Sequence, residues 1–485
     1  MPAGITIIGL GPGRRQFWTQ AALTALNQAE EVYLRTARHP GVADIFTPIH
    51  DFDEVFDQAD DGEESYRQIA IKLVQLGQRA QGVFYAVPGH PLVDEPTTTP
   101  IRALAQSYHL PVAIIPGLSL VETAQALLGL DSSAQLQIVA APRVASLHHP
   151  PLAPDRPALI THLHQSQLAA RVQQTLLNAY PSHLTATLVR PTAPEPDRLQ
   201  PCALTDLPDQ AYFDLDTILY LPADPANTSF TTFQETIAHL RAPEGCPWDR
   251  QQTHQSLRPF LLEETYEVLE TLDANDPVGL AEELGDVLLQ VVLHTQIATD
   301  TGEFKMGEVI NHIHRKLWRR HPHVFGNVTV NNAEEVTTNW EAIKKAEKAD
   351  KGQPVHAASA LDGVPPALPA LAQALTISRK AAQAGFEWPN IEGVLDKLIE
   401  EAGEITAASN PADLEAEIGD LLFSAVNLAR WRTIDAESAL RATNVRFTRR
   451  FKKMEALAAA QDKNLSDIPT QEIELLWEAA KRDQG

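Results

Sequence analysis

The chain has 485 residues, enough for two or three hydrophobic cores, and 63 acidic against 39 basic side chains give it a net charge of −24. That balance argues against a protein built to grip duplex nucleic acid, which needs a basic face, and no apolar run reaches transmembrane length. Two cysteines, Cys202 and Cys246, indicate no disulfide framework, and Met1-Pro2-Ala3-Gly4 runs straight into a strand without a signal peptide, so a reducing cytoplasm is the expectation.

Ile5-Thr6-Ile7-Ile8 predicts a short buried strand that enters Gly9-Leu10-Gly11-Pro12-Gly13 and then a helix from about Trp18. Such a turn lets backbone approach a ligand closely. It is not the dinucleotide-binding G-x-G-x-x-G, because position 14 is Arg, and it lacks the Lys and Ser/Thr of a P-loop. Phe84-Tyr85-Ala86-Val87-Pro88-Gly89-His90-Pro91 and Ile114-Ile115-Pro116-Gly117-Leu118-Ser119 read as strands ending in Pro-Gly turns, as at the carboxyl rim of an α/β sheet, where ligands usually bind. His148-His149 and His162/His164 have no Cys/His partners at a metal spacing and read as surface or loop histidines. Ala193-Pro194-Glu195-Pro196-Asp197 reads as a loop, and Pro222-Ala223-Asp224-Pro225-Ala226-Asn227 as a linker.

Together these stretches resemble the tetrapyrrole methylase family over residues 1–222. The resemblance implies a two-lobed α/β domain with S-adenosylmethionine in its cleft, near Gly9, Gly11, Pro12, Gly13, Pro88, Gly89, His90, Pro116 and Ser119. It identifies no methyl acceptor.

Downstream, one acidic pattern is written twice. Glu263-Glu264-Thr265-Tyr266-Glu267 is followed after 15 residues by Glu283-Leu284-Gly285-Asp286, and Glu400-Glu401-Ala402-Gly403-Glu404 after 12 residues by Glu417-Ile418-Gly419-Asp420. Each gap lets the chain turn and return antiparallel, so each copy should face carboxylates across two helices. Glu264 and Glu267 share a helix face at i, i+3, and Glu283 and Asp286 repeat that spacing. A mid-helix glycine costs about 1 kcal/mol against alanine, so Gly285 and Gly419 predict a close approach of helices, or of a ligand, to the backbone. One EExxE alone is ordinary solvated surface. Its recurrence with the glycine in place points to a hard divalent cation, because converging unpaired carboxylates are otherwise too costly.

The repeat continues. Lys316-Leu317-Trp318-Arg319-Arg320 corresponds to Arg446-Phe447-Thr448-Arg449-Arg450, and Trp340-Glu341-Ala342-Ile343-Lys344 to Trp477-Glu478-Ala479-Ala480-Lys481. Acids for metal, bases for phosphate and an aromatic for a nucleobase make a nucleotide-site composition.

With Cys246-Pro247-Trp248-Asp249, Arg320-His321-Pro322-His323-Val324-Phe325-Gly326 and Gly385-Phe386-Glu387-Trp388, these motifs make the chain from about Leu240 onward resemble the MazG family of nucleoside triphosphate pyrophosphohydrolases. The resemblance implies an all-α region, a Mg²⁺ requirement that Mn²⁺ could meet, hydrolysis of an NTP or dNTP to NMP and pyrophosphate, and a homodimer whose helices form four-helix bundles. Glu264, Glu267, Glu283 and Asp286 would hold metal in the first copy, and Glu401, Glu404, Glu417 and Asp420 in the second. Glu263 or Glu400 would position or deprotonate the attacking water. Lys397, Arg446, Arg450, Trp477 and Lys481, with Lys316, Arg320, Trp340 and Lys344 in the first copy, would meet the nucleotide. Lys397 stands one turn before Glu401, where the first copy has Phe260, which favours the second copy as the active one; against that, the first keeps Lys316 where the second has Arg446.

The expected organisation is a methylase-like domain at 1–222, a linker at 223–238, a first helical domain at 239–347, a connector at 348–365 and a second helical domain at 366–485. The expected function is nucleotide pyrophosphohydrolysis in nucleotide-pool house-cleaning. The rivals are methylation of a small molecule with the helical part as dimerising scaffold, and nucleotide sensing without cleavage.

Overall fold

The computed structural model describes residues 4–57, 62–131, 135–214, 216–350 and 359–482. The chain divides into two compact units, Met1–Glu244 and Gly245–Gly485.

The first unit opens with β1 (Ile5–Gly9), β2 (Val32–Leu34), β3 (Ile49–Asp51), β4 (Val83–Val87) and β5 (Val112–Ile115), an all-parallel sheet in the order β3-β2-β4-β1-β5. Cover on both faces explains why its inner strands are continuous apolar runs rather than alternating ones. Ile8, Val32 and Leu34 pack under Ala22 and Leu26 of α1 (Gln20–Gln28). Ile7 and Tyr85 point the other way, to Ile69 and Leu73 of α2 (Gly62–Gly77) and Ile101 of α3 (Thr98–Ser107). Three glycine-bearing turns therefore leave the carboxyl ends of the adjacent strands β4, β1 and β5.

After α4 (Leu120–Leu128) a second sheet follows: β6 (Gln137–Ala140), β7 (Ala158–Thr161), β8 (Thr185–Val189), β9 (Leu199–Ala203) and β10 (Ile218–Leu221), in the order β6-β7-β10-β8-β9. Only β6 and β7 run parallel. Its core gathers Ile160, Leu188 and Leu219 against Ala169, Val172 and Leu176 of α5 (Ser166–Leu176). This is the two-lobed α/β domain expected. Residues 223–238 hold much of α6 (Phe230–Arg241), which belongs to this unit: Asp155 accepts from Ser229 N at 3.0 Å and from Thr232 Oγ1 at 2.5 Å, holding the helix start.

The second unit is helical: α7 (Arg258–Ala274), α8 (Pro277–Thr301), α9 (Met306–Arg320), α10 (Ala333–Asp350), α11 (Ala370–Gln383), α12 (Ile391–Ala407), α13 (Pro411–Trp431), α14 (Ala436–Ala459) and α15 (Thr470–Arg482). Residues 351–358 of the expected connector lie outside the described residues. Two hairpins, α7/α8 and α12/α13, are built alike. Asp276 accepts from Val278 N and Gly279 N ahead of Pro277, and Asn410 accepts from Ala412 N and Asp413 N ahead of Pro411. Each is an Asx cap that satisfies orphan amides, with proline in the first turn where its missing N–H costs nothing. Arg441 Nε on α14 reaches Asp273 Oδ2 near the end of α7 at 2.8 Å, joining one repeat to the other.

Two apolar stripes stay exposed: Leu284, Leu288 and Val291 on α8, and Leu414, Ile418 and Leu422 on α13. They recur at helical spacing and mark one uncovered face on each helix. Around Gly285 and Gly419, a Cβ would meet nothing within 4 Å. The helix-on-helix approach expected at these glycines is not made by this chain, because each lies on an open face of its hairpin. No described helix is long and apolar enough to cross a membrane.

Candidate active sites and cofactor cleft

The hairpins bring the acids together. Glu264 and Glu267 from α7 meet Glu283 from α8, and Glu401 and Glu404 from α12 meet Glu417 from α13; in each trio one oxygen per residue lies within 4.8 Å of the others. Burial, then the charge of Asp286 with Glu267 and Glu263, pushes the Glu264 carboxyl above its usual range. Burial with Glu267 and Asp286 does the same to Glu283, and burial with Glu404, Glu401 and Asp420 to Glu417. Carboxylates that disfavour one another's ionisation gain from a cation between them, and three hard oxygen donors suit Mg²⁺ or Mn²⁺. Asp286 and Asp420 thus stand close enough to be felt electrostatically, outside the tight trios. Glu263 and Glu400 are exposed beside them.

The two sites differ next to the acids. Lys397 Nζ lies 2.8 Å from Glu401 Oε1 and 3.1 Å from Glu400 Oε1, and Glu401 is only 4% exposed. The hydrogen bonds to Glu401 and then Glu400 hold the ammonium well above its ordinary pKa. In the first copy Phe260 instead meets Trp248 edge-on, ring centroids 5.9 Å apart.

The remaining cations are partly engaged within the chain. Arg319 and Arg320 clamp Glu347 of α10 at 2.6 and 2.7 Å and, with Arg320 the stronger, pull its carboxyl down to about 2. Arg320, expected on phosphate, is held here by Glu347, a partner on another helix that spacing along α9 could not disclose. His321 meets Trp340 edge-on at 5.2 Å, Lys316 is exposed on α9, and Lys344 falls within α10 with its side chain outside the described ones. In the second copy Arg446 Nη2 donates to Thr443 Oγ1 at 2.9 Å. Lys481 pairs with Glu478 at 2.6 Å with its Nζ 6.0 Å from the Trp477 ring centroid. Arg450 adds to the positive field that Lys481 leads at Glu478. Glu387, noticed in the sequence only as part of Gly385-Phe386-Glu387-Trp388, binds Arg430 at 2.6 Å and accepts from Trp431 Nε1 at 3.0 Å, anchoring the end of α13.

In the first unit the three turns interlock. A Cβ on Gly9 would lie 2.6 Å from Gly117 N and Gly89 O, and Gly11 O meets His39 Nε2 at 2.9 Å. Beside them lies a cavity of about 1060 Å³. Pro88, Gly89 and Ser119 line it, and Ser119 also caps α4 in a capping box with Glu122. Gly9, Gly11, Pro12, Gly13, His90 and Pro116 do not line it: Gly9 and Gly11 build the turns behind it, His90 Nδ1 accepts from Leu92 N at 3.0 Å, and Pro116 O accepts from Thr19 Oγ1 at 3.0 Å. The charged walls are Asp53, Asp94, Glu95, Asp214 and Asp216 with Arg35, Arg38 and Arg143. Arg35 Nε lies 3.3 Å from Glu95 Oε2, and His162 Nδ1 lies 2.8 Å from Asp94 Oδ2. Burial raises the Asp94 carboxyl, but His162, Thr161 and Arg35 together outweigh it and leave Asp94 below the usual range. Burial pushes Asp216 up to about 6, aided by Asp214 and opposed by the hydrogen bond from Thr192. His162 and His164, read from sequence as surface or loop histidines, therefore line a cavity. No spacing signal could show this, since their neighbours come from distant segments.

Residues 252–325 and 390–454 match the MazG nucleotide pyrophosphohydrolase domain, and residues 4–191 match the tetrapyrrole (corrin/porphyrin) methylases. The chain is 35% identical over its whole length to 99% of the uncharacterized protein YabN of Bacillus subtilis (strain 168). Over 51% of its length it is 45% identical to 95% of the nucleoside triphosphate pyrophosphohydrolase/pyrophosphatase MazG of Thermotoga maritima. Among solved structures, a uroporphyrin-III-C-methyltransferase from Thermus thermophilus aligns with 46% of this chain and 93% of its own at 19% identity, TM-score 0.36.

Proposed function

The chain belongs to the MazG family of nucleotide pyrophosphohydrolases, in the form that carries two MazG segments behind a tetrapyrrole methylase domain, and from that premise we propose that its second repeat cleaves NTPs or dNTPs to NMP and pyrophosphate with Mg²⁺. The observation that carries this reading is the Glu401, Glu404 and Glu417 trio with Lys397 Nζ 2.8 Å from Glu401. Hard oxygens for a divalent ion and a cation for phosphate stand at one place.

Glu401, Glu404 and Glu417 would hold the metal, with Asp420 adding charge behind them; Glu264, Glu267, Glu283 and Asp286 offer the same set in the first repeat. A divalent ion there neutralises triphosphate charge and acidifies an attacking water. Lys397 moves from Glu401 to a phosphate oxygen, an exchange of one charge-assisted contact for another. Glu400, exposed at the rim, orients the water and takes its proton as the α-phosphorus is attacked and pyrophosphate leaves. Trp477 offers an aromatic face for the base, and Arg446, Arg450 and Lys481 supply positive field. We place the protein in the cytoplasm, clearing nucleotides from the pool, as a homodimer joined through the exposed stripes of α8 and α13.

A second reading concerns the first unit. Its cavity of about 1060 Å³ beside the Gly89 and Ser119 turns favours S-adenosylmethionine as ligand. In the rival reading of the whole chain, methyl transfer is the activity and the helices dimerise or sense nucleotide.

The experiment is a panel of NTPs and dNTPs in Mg²⁺, with NMP and pyrophosphate quantified for the wild type, Glu401→Gln/Glu404→Gln and Glu264→Gln/Glu267→Gln. Loss of product only in the first variant supports the second repeat as the active one. Loss only in the second moves the reaction to the first repeat. A wild type that binds nucleotide and forms no product sinks the proposal and leaves the sensing reading.

A further inference from the structure

The cavity of the first unit contains an imidazole–carboxylate pair that the nucleotide chemistry does not use. His162 Nδ1 lies 2.8 Å from Asp94 Oδ2. Both residues are in the left-handed backbone region, φ +58 and +59, and both line the cavity. Non-glycine residues held at positive φ cost conformational energy and gather at functional sites.

The cavity's other histidines are occupied. His39 accepts from Gly41 N at Nδ1 and meets Gly11 O at Nε2; His164 meets His162 O at Nδ1 and Gln165 at Nε2. His162 has Asp94 on one nitrogen and, among the described residues, no hydrogen-bond partner on Nε2. The contact lacks hydrogen-bond alignment, so Asp94 acts as a negative charge beside Nδ1, and such a charge stabilises the imidazolium once Nε2 is protonated.

We propose that His162, with the Asp94 carboxylate beside its ring, is the general base of a methyl transfer in this cleft, acting on a small acceptor that presents an O–H or N–H group. The proposal rests on the S-adenosylmethionine reading above. In the step, the acceptor heteroatom attacks the sulfonium methyl, the carbon–heteroatom bond forms, and the carbon–sulfur bond breaks with its electrons returning to sulfur as a thioether. The acceptor's proton passes to Nε2 of His162. At about 1060 Å³ the cavity exceeds what one drug-sized ligand needs, which leaves room for acceptor beside cofactor. Carboxylates outnumber arginines on its walls, so an acceptor that is neutral or cationic fits and a polycarboxylate does not.

The test uses the full-length chain and His162→Gly, a substitution that suits positive φ and makes room for added imidazole. S-adenosylhomocysteine, followed by calorimetry, should bind wild type and variant alike. No binding to wild type removes the cofactor reading and the proposal together; loss in the variant alone makes His162 a cofactor contact and overturns its role as base. Bound S-adenosylhomocysteine should shield His162, and not the exposed His183, from diethyl pyrocarbonate, read by peptide mass spectrometry; equal labelling overturns the placement. With tritiated S-adenosylmethionine and a protein-free small-molecule extract as acceptor source, wild type should label a low-mass product. His162→Gly should lose about 100-fold or more, and imidazole should restore it. No product from wild type, an unimpaired variant or a variant that imidazole cannot rescue each overturns the proposal.

Discussion

Lys397 Nζ sits 2.8 Å from Glu401 Oε1, one turn further along α12, while Phe260, the counterpart of Lys397 before Glu264, is turned into an aromatic contact with Trp248. Two otherwise parallel acid clusters therefore differ in whether a cation accompanies them. Lys397→Met is expected to raise the KM for nucleotide about tenfold or more with a smaller change in kcat, since a charge-assisted contact is worth roughly 1.5–3 kcal/mol and each 1.4 kcal/mol is a factor of ten. Steady-state kinetics decides; an unchanged KM would remove Lys397 from the phosphate site.

The clamp on Glu347 should give the protein an acid-sensitive joint. Its folded pKa, about 2, is depressed below the ordinary 4.5, so the stabilisation is present above pH 4.5 and drains away as pH falls toward 2. Glu347→Gln should lower the melting temperature near pH 7 and flatten this part of the acid limb. A variant whose melting curve tracks wild type at every pH would show the clamp to be energetically idle.

The stripes on α8 and α13 should be covered in solution. Sedimentation of the wild type is expected to give twice the chain mass, and Leu288→Glu with Leu422→Glu a monomer, because burying a carboxylate in an apolar seam is prohibitive. A wild-type monomer would contradict the joining of chains through these faces.

Gly117→Ala tests the interlocked turns of the first unit. A Cβ there would collide with backbone atoms of Gly89 and Gly9, and overpacking of this kind typically costs about 1–3 kcal/mol. The variant should melt earlier and bind S-adenosylhomocysteine more weakly. Equal affinity would separate the turns from the cofactor site.

Much of the architecture is legible in the chain because it is encoded locally. Apolar runs ending in Pro88-Gly89 and Pro116-Gly117 announce strands with tight turns, and Glu264, Glu267 and Glu283 reveal a hairpin because helical spacing aligns them across one turn of chain. What escapes such reading is pairing across elements. Spacing around Arg320 does not announce Glu347 from another helix, and the loop that carries His162 does not announce Asp94 beside it. Gly285 and Gly419 reveal the need for space but not that the space faces outward from this chain.

The ion pair between Arg441 and Asp273, 2.8 Å long with the guanidinium 19% exposed, bears on how the duplicated half can be dissected. A fragment cut to the second repeat alone would carry a largely covered cation without its Asp273 partner, left with the hydrogen bond to Ser438 and the charge of Asp435, on the helix that also bears Arg446 and Arg450. The copies are thus not freely interchangeable cassettes: excising one removes a tie from its sibling before any substrate is added.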